Sequence, residues 1–300
     1  MKRLSFLVSL TNNDNDYQQE QAHSAKLMAS KHGVDVLIVD ADNDTIIQST
    51  QLLKAIQSDP QERPNAVILE PAGGTALPQV ARAAVDAGIG WAVLNRQASY
   101  ISELRLRSMV PVFAVSSDQV EVGRISGRQC AALLPRGGAI LYIAGPSQSE
   151  AARDREIGMR ETIPSNVHVT VLKGQWTEES AKKAIAGWLK LSTSQKATID
   201  LVISQNDAMA IGARKAFQEL SSDQERWMNI PLQGCDGVPT TGQSWVRSGL
   251  LRSTIIIPPT AGQAIEIMAN ALKSKKTPPD IAFAPVVSLP SIEKLSIPIS

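Results

Sequence analysis

Short unbroken apolar runs alternate with helical patterns along almost the whole chain, and that alternation limits the fold more than any other feature. Runs at 4–10, 34–40, 66–69, 91–94, 112–115, 139–144, 167–172, 201–204, 230–235 and 252–257 are rich in Val, Ile and Leu. They lack the period-two pattern of a half-exposed sheet and read as buried strands. Helical patterns at 17–32, 46–57, 77–87, 120–134, 151–162, 178–191, 208–213 and 261–273 fall between them, with Gly33 and Gly88 placed to end two of them. Buried strands separated by helices imply parallel sheets covered on both faces, an α/β doubly wound architecture. The rhythm fails at 97–111, where Glu103, Arg105 and Arg107 crowd what reads as a loop, and a last strand is expected at 281–288.

A chain of 300 residues is long for one compact domain and suits two lobes. The strands after the irregular joint outnumber those before it, so a segment near the C-terminus is expected to return to the first lobe. Thirty Lys and Arg stand against 29 Asp and Glu, a net charge of +1. That balance argues against nucleic acid or an anionic membrane surface as the main partner. No stretch approaches the roughly 20 apolar residues of a membrane span, so no membrane insertion is expected. Met1-Lys2-Arg3 and the apolar run behind them resemble the start of a secretion leader. The run is short, contains Ser5 and Ser9 and opens into Thr11-Asn12-Asn13-Asp14, so it reads better as a first strand. Cys130 and Cys235 form neither a metal-ligand spacing nor a disulfide framework.

Signatures of phosphate loops, dinucleotide folds, nucleophile elbows and zinc helices are missing, so no enzyme activity, cofactor or metal is expected. His23, His32 and His168 lie apart at positions that suit a surface. Asp40, Asp42 and Asp44 alternate as in a calcium loop, but Thr45 stands where a tight turn wants Gly and Gln51 where a bidentate Glu belongs. A capped turn is expected there. What does recur is a polar residue at the end of an apolar strand: Glu70, Asn95 with Arg96, Asn206, and Asp236. In open α/β sheets such strand ends line the ligand crevice. Asp207 reads as the N-cap of the helix that follows, which leaves Asn206 as the candidate contact. Arg153 and Arg155 lie about 200° apart on a helix, so only one can face a site, and helix geometry does not say which. Trp176 precedes a helix capped by Thr177, with Ser180 as a weak capping-box partner. Its indole is either a packing anchor or a stacking platform. Planar amide, carboxylate and guanidinium groups beside an aromatic face suit a sugar, whose hydroxyl pairs take forked hydrogen bonds and whose C–H face stacks.

The segments Leu94-Asn95-Arg96-Gln97, Ala151-Ala152-Arg153-Asp154-Arg155 with Gly158, Gln205-Asn206-Asp207-Ala208-Met209-Ala210-Ile211-Gly212-Ala213 and Cys235-Asp236-Gly237 occur in order. On these segments the chain, from Ser9 nearly to its end, resembles the type I periplasmic sugar-binding proteins. It is most similar to the ribose-binding branch, which shares its architecture with the effector cores of lactose-repressor-type regulators. The resemblance implies two doubly wound parallel-sheet lobes joined by a three-strand hinge. One lobe would be 1–116 plus 258–280, the other 117–257 plus 281–300. It implies ligand contacts at Asn13, Tyr17, Glu70, Asn95, Arg96, Arg155, Trp176, Asn206 and Asp236, and so chooses Arg155 over Arg153. The family usually carries a carboxylate at the place of Asn95 and often an amide at that of Glu70, so the acidic partner is expected across the pocket here. Ile257 stands where a binding amide is common, and Tyr17 lies where the family has paired aromatics.

The implied function is capture of a small sugar or polyol by hinge closure, for delivery by a monomer to an ABC permease complex in the periplasm. A periplasmic sensor for a signalling receptor or kinase shares these features. An effector-binding core would need a DNA-binding helix-turn-helix ahead of Leu4, and an enzyme on this scaffold would need an acid/base pair in the cleft.

Overall fold

A computed structural model describes residues 3–73, 76–195, 197–220 and 223–295. The chain begins β1 (Ser5–Leu10), α1 (Asp16–His32), β2 (Asp35–Asp40), α2 (Thr45–Ile56), β3 (Ala66–Leu69), α3 (Pro78–Asp86), β4 (Gly90–Leu94), α4 (Ile101–Arg107) and β5 (Val112–Ser117). It continues α5 (Gln119–Leu133), β6 (Gly138–Ala144), α6 (Glu150–Thr162), β7 (Val167–Lys173), α7 (Glu178–Leu189), α8 (Ser192–Gln195), β8 (Leu201–Ser204) and α9 (Asp207–Gln218). Then come α10 (Gln224–Met228), β9 (Leu232–Gln233), α11 (Gly242–Arg247), β10 (Thr254–Ile256), α12 (Thr260–Ser274), β11 (Ile281–Ala284), β12 (Val287–Leu289) and α13 (Ile292–Leu295). These elements form two compact units, Met1–Ser117 with Pro259–Ala284 and Asp118–Pro258 with Pro285–Ser300.

The first unit holds a six-stranded sheet in the order β11-β5-β4-β3-β1-β2, with every pairing parallel. Successive side chains of a strand point to opposite faces, and β1 shows the consequence. Leu7 joins Leu52, Val67 and Trp91 on one face under α2 and α3, while Phe6 and Val8 join Ile68 and Phe113 on the other under α1 and α12. Asn15 caps α1 by accepting the Tyr17 and Gln18 N–H groups, and Gly33 ends that helix at φ 63. Asp44 caps α2 in the same way, so the alternating aspartates before it do form a capped turn.

Two readings of this unit need correction. Residues 97–111 contain α4, because Ile101 and Leu104 are spaced to share one buried face and pack onto the core. Its charges face the other way, where Arg105 meets Asp280 at 2.6 Å and the Pro278 carbonyl at 2.8 Å. The expected strand at 281–288 is two strands. β11 pairs with β5 in the first unit and β12 runs antiparallel to β10 in the second. Pro285, which has no N–H to give a ladder, lies between them. Residues 281–284 therefore belong with the first unit and not the second.

The second unit repeats the order with a four-stranded parallel sheet, β7-β6-β8-β9. β9 is two residues long, shorter than the expected run at 230–235, and single bridges from Gln233 and Asp236 carry the sheet on toward Ser253 and Ile256. In each unit the first and third strands are neighbours, which opens a crevice at their carboxyl ends. α5 and α6 pack backbone to backbone. A Cβ on Gly158 would lie 1.9 Å from the Val120 carbonyl oxygen, and one on Gly123 would lie 2.1 Å from that of Arg155.

Overpacking a contact of this kind costs about 1–3 kcal/mol. Gly158→Ala is expected to lose that much in urea unfolding followed by circular dichroism. An unchanged midpoint would show that the two helices have room to part.

Candidate functional site

In the first unit the polar residues gather at the ends of β1, β3 and β4. Glu70 follows β3, and its N–H donates to Ser9 of β1 at 2.8 Å. Gln48 of α2 is fully buried and stitches the two strand ends together. Its Nε2 donates to the Ser9 hydroxyl at 3.0 Å and to the Glu70 carbonyl at 2.9 Å, and its Oε1 accepts from Ala72 N–H at 2.9 Å. The Glu70 carboxylate faces α1, where Oε2 accepts from Gln18 at 3.0 Å and from Gln21 at 3.3 Å. Burial pushes this carboxyl above its ordinary value, against the pull of the Gln18, Asn95 and Gln21 amides and the Arg96 charge.

Asn95 follows β4 at φ 56, in the left-handed region that Asn tolerates better than most residues. Its Oδ1 accepts from the Thr260 hydroxyl at 3.1 Å and the Tyr17 hydroxyl at 3.4 Å. Gln21 completes the lattice, donating to Thr260 at 3.0 Å and accepting from Ala261 N–H at 2.8 Å. Arg96 donates from Nη1 to the Gly73 carbonyl. Glu70, Asn95 and Tyr17 thus share one hydrogen-bonded network, and the Arg96 charge acts on Glu70 beside it. Asn13 is exposed and turns to Asp40, donating from Nδ2 at 3.2 Å.

In the second unit α6 turns Arg155 inward and Arg153 outward. The Arg155 side chain is 11% exposed, whereas that of Arg153 is 62% exposed and pairs with its neighbour Asp154. Arg155 donates from Nε to Gln119 at 2.8 Å and from Nη1 to the Gln205 carbonyl, with Asp236 Oδ1 at 3.7 Å. Its guanidinium carbon lies 5.5 Å from the centre of the Trp176 ring, a cation–π geometry. The indole also abuts Gly145, where a Cβ would come within 2.4 Å of the ring. Trp176 is therefore a packing partner of Arg155 within its own unit. Thr177 caps α7 as expected, and Ser180 returns its hydroxyl to the Thr177 carbonyl at 2.7 Å.

The cap of α9 is not where the sequence reading put it. Asn206, not Asp207, is the N-cap: its Oδ1 accepts from Met209 N–H at 2.9 Å, and its Nδ2 donates to the Trp176 carbonyl at 2.9 Å. Asn206 is 3% exposed, and a second amide proton and a second lone pair are what it retains for a ligand. Asp207 goes inward instead, 4% exposed, with Gly237 N–H at 2.8 Å and the Thr254 hydroxyl at 2.7 Å. Burial and the facing Asp236 push its carboxyl well above the ordinary range. Burial likewise raises the Cys235 thiol to about 12, which leaves it protonated and unreactive.

Sequence reading missed Gln18, Gln21, Gln48, Thr260 and Gln205, all buried. The one available signal was the run of glutamines on α1, spaced so that 18 and 21 share a face. Among the described residues, no group of three or more His, Cys, Asp or Glu side chains is placed to hold a metal, and no helix is long and apolar enough to cross a membrane. Each unit therefore gathers a carboxylate, a guanidinium and an amide, at strand ends in the first unit and with the guanidinium supplied by α6 in the second, the donors and acceptors that suit a ring of hydroxyls.

The family model described as "Periplasmic binding protein domain" matches residues 6–276. The chain is 25% identical to the ribose import binding protein RbsB of Escherichia coli (strain K12), over 91% of this chain and 86% of that protein. It is 28% identical to a putative rhizopine-binding protein of Rhizobium meliloti over 62% of its own length, and the match spans 58% of that relative. A solved ABC transporter periplasmic solute-binding protein of Actinobacillus succinogenes 130z, with bound D-allose, has the same fold, with TM-score 0.83 and 18% identity over 98% of this chain and 99% of that one.

Burial of the Glu70 carboxyl is expected to make stability depend on pH. Its contribution is fully present below the ordinary value of 4.5 and is lost as the pH rises through the raised folded value. Glu70→Gln cannot ionise and keeps an oxygen for Gln18 and Gln21. Without added sugar, the variant's unfolding free energy is expected to gain on that of the parent as pH rises from about 4 to about 8. A difference that stays constant across this range would place the Glu70 carboxylate in water.

Proposed function

Because the chain belongs to the periplasmic binding protein domain family, we propose that it is a solute-binding protein that takes a small sugar or polyol and presents it to an ABC permease complex. The observation that carries this reading is the matched equipment of the two units. Glu70, Asn95 and Arg96 stand at strand ends of one, and Arg155, Asn206 and Asp236 stand in a single cluster of the other. On this reading both sets serve one ligand, with Tyr17 and Asn13 at the margin of the first and Trp176 backing Arg155 in the second. Glu70 and Asp236 accept from hydroxyls, Arg96 and Arg155 donate in forks, and Asn95 and Asn206 do both.

A ligand that bonds to both units favours the state in which both are engaged, so hinge closure is a shift of population that the ligand itself drives. Binding and release complete such a role with no reaction on the solute, and a single chain carries the whole set. The periplasm is where a protein of this kind meets its solute. The relatives named for ribose import, and the solved structure with D-allose, support a neutral polyhydroxylated ligand.

A thermal-shift screen of pentoses, hexoses, inositols and amino sugars tests the reading. A ligand at 100 times its Kd adds about 2.7 kcal/mol to stability, enough to raise the melting temperature visibly. Glu70→Ala and Arg155→Ala should each weaken the best sugar more than about tenfold by calorimetry, since hydrogen bonds to charged groups are worth roughly 1.5–3 kcal/mol. A screen in which no sugar or polyol shifts the melting temperature would end the proposal.

A further inference from the structure

Asp207 takes no part in the contacts assigned above, yet it grips the residues on both sides of Asp236. Its N–H donates to the Cys235 carbonyl at 2.6 Å, and its Oδ2 accepts from Gly237 N–H at 2.8 Å. Its Oδ1 accepts from the Thr254 hydroxyl at 2.7 Å, which ties the same turn to β10. The space is cut to the carboxylate: a Cβ on Gly234 or on Gly242 would lie 2.0 Å from one of its oxygens. Asp236 itself stands at φ 103, a backbone conformation that side-chain-bearing residues rarely adopt. Such a conformation persists only where the surroundings over-determine it. Two main-chain bonds help, from Asp236 N–H to Ile255 and from Ile257 N–H to Asp236, both at 3.0 Å. They run to one neighbouring strand and leave the flanking Cys235 carbonyl and Gly237 N–H to Asp207.

We propose that Asp207 is a positioning residue for sugar binding: it clamps the Cys235-Asp236-Gly237 turn in the conformation that sets the Asp236 carboxylate beside Arg155. The proposal rests on the solute-binding reading above. It differs from a general structural role in one respect: the effect of Asp207 on affinity passes through Asp236 and through nothing else.

The test is a double-mutant cycle read by calorimetry with D-ribose, D-allose and myo-inositol as probes. Asp207→Ala is expected to weaken the best of the three at least tenfold. Asp207→Asn is expected to recover most of that loss, because one amide oxygen accepts from Gly237 while the NH₂ donates to Thr254. Combined with Asp236→Ala, the Asp207→Ala change should add less than threefold to the loss from Asp236→Ala alone, since the group it positions is gone. Additive losses, or an asparagine as poor as alanine, would overturn the proposal. If none of the three probes binds the parent protein, the solute-binding reading is decided by the wider sugar screen above, and the clamp is decided in the unliganded protein by hydrogen exchange. Gly237 N–H should then exchange at least tenfold faster in Asp207→Ala and at the parental rate in Asp207→Asn, and equal rates in all three proteins would overturn it. Thr254→Val, which removes one hold on the carboxylate and leaves the chain otherwise intact, repeats both measurements should Asp207→Ala fail to fold.

Discussion

A carboxylate withdrawn from water at the end of a parallel strand must be answered by donors, or it costs more than the strand end can supply. Each unit meets this demand once, by different means. Glu70 is answered by side-chain amides from α1, which lie across the crevice from its own strand. Asp207 is answered by a backbone N–H and a hydroxyl, and it sits in the first turn of α9, where the helix dipole favours negative charge. The Glu70 acceptor is tied to a helix through side chains, whereas the Asp207 acceptor is tied to the main chain of the turn beside it.

The same strand order in both units poses the same local problem, and a buried glutamine solves it each time. First and third strands lie side by side while the segments leaving them diverge, so backbone groups at that point lose their ladder partners. Gln48 links Ser9 of β1 to the main chain at Glu70 and Ala72. Gln205, just beyond β8, donates to the Tyr142 hydroxyl of β6 and to the Ala152 carbonyl and accepts from Gly145 N–H. One amide, with donors and acceptor in a single plane, satisfies three groups that point in different directions.

Elements that bury a long apolar pattern were legible from the sequence: β1, β3, β6, β8, α1, α5 and α12 lie within a residue or two of where periodicity puts them. α4 was not, because two apolar residues on one helical turn among arginines make too weak a period to distinguish from loop. The split at Pro285 was hidden for the opposite reason, since β11 and β12 form one apolar stretch and only partner strands decide where each half goes. Of the candidate site, strand-end residues could be picked out by position alone. The exchange of roles between Asn206 and Asp207 could not, because both residue types cap helices well and only the pocket between Gly234 and Gly242 decides which one turns inward. Gln18, Gln21 and Gln48 escaped notice since an amide on a helix reads as surface until its partner is known.

Close approach to bare backbone, more than any single hydrogen bond, fixes where the groups of the second unit stand. Gly123 lets α5 come against the carbonyl of Arg155, Gly145 receives the Trp176 ring, and Gly234 with Gly242 encloses the Asp207 carboxylate. In each case an added methyl would meet backbone, a rigid ring or a carboxylate bound at both oxygens, none of which yields as the end of a flexible chain does. The side chains of Glu70 and Asn95 in the first unit are held instead by amide and hydroxyl side chains. On the solute-binding reading, the second unit offers a guanidinium and a carboxylate fixed by close packing, and the first offers groups held by other side chains.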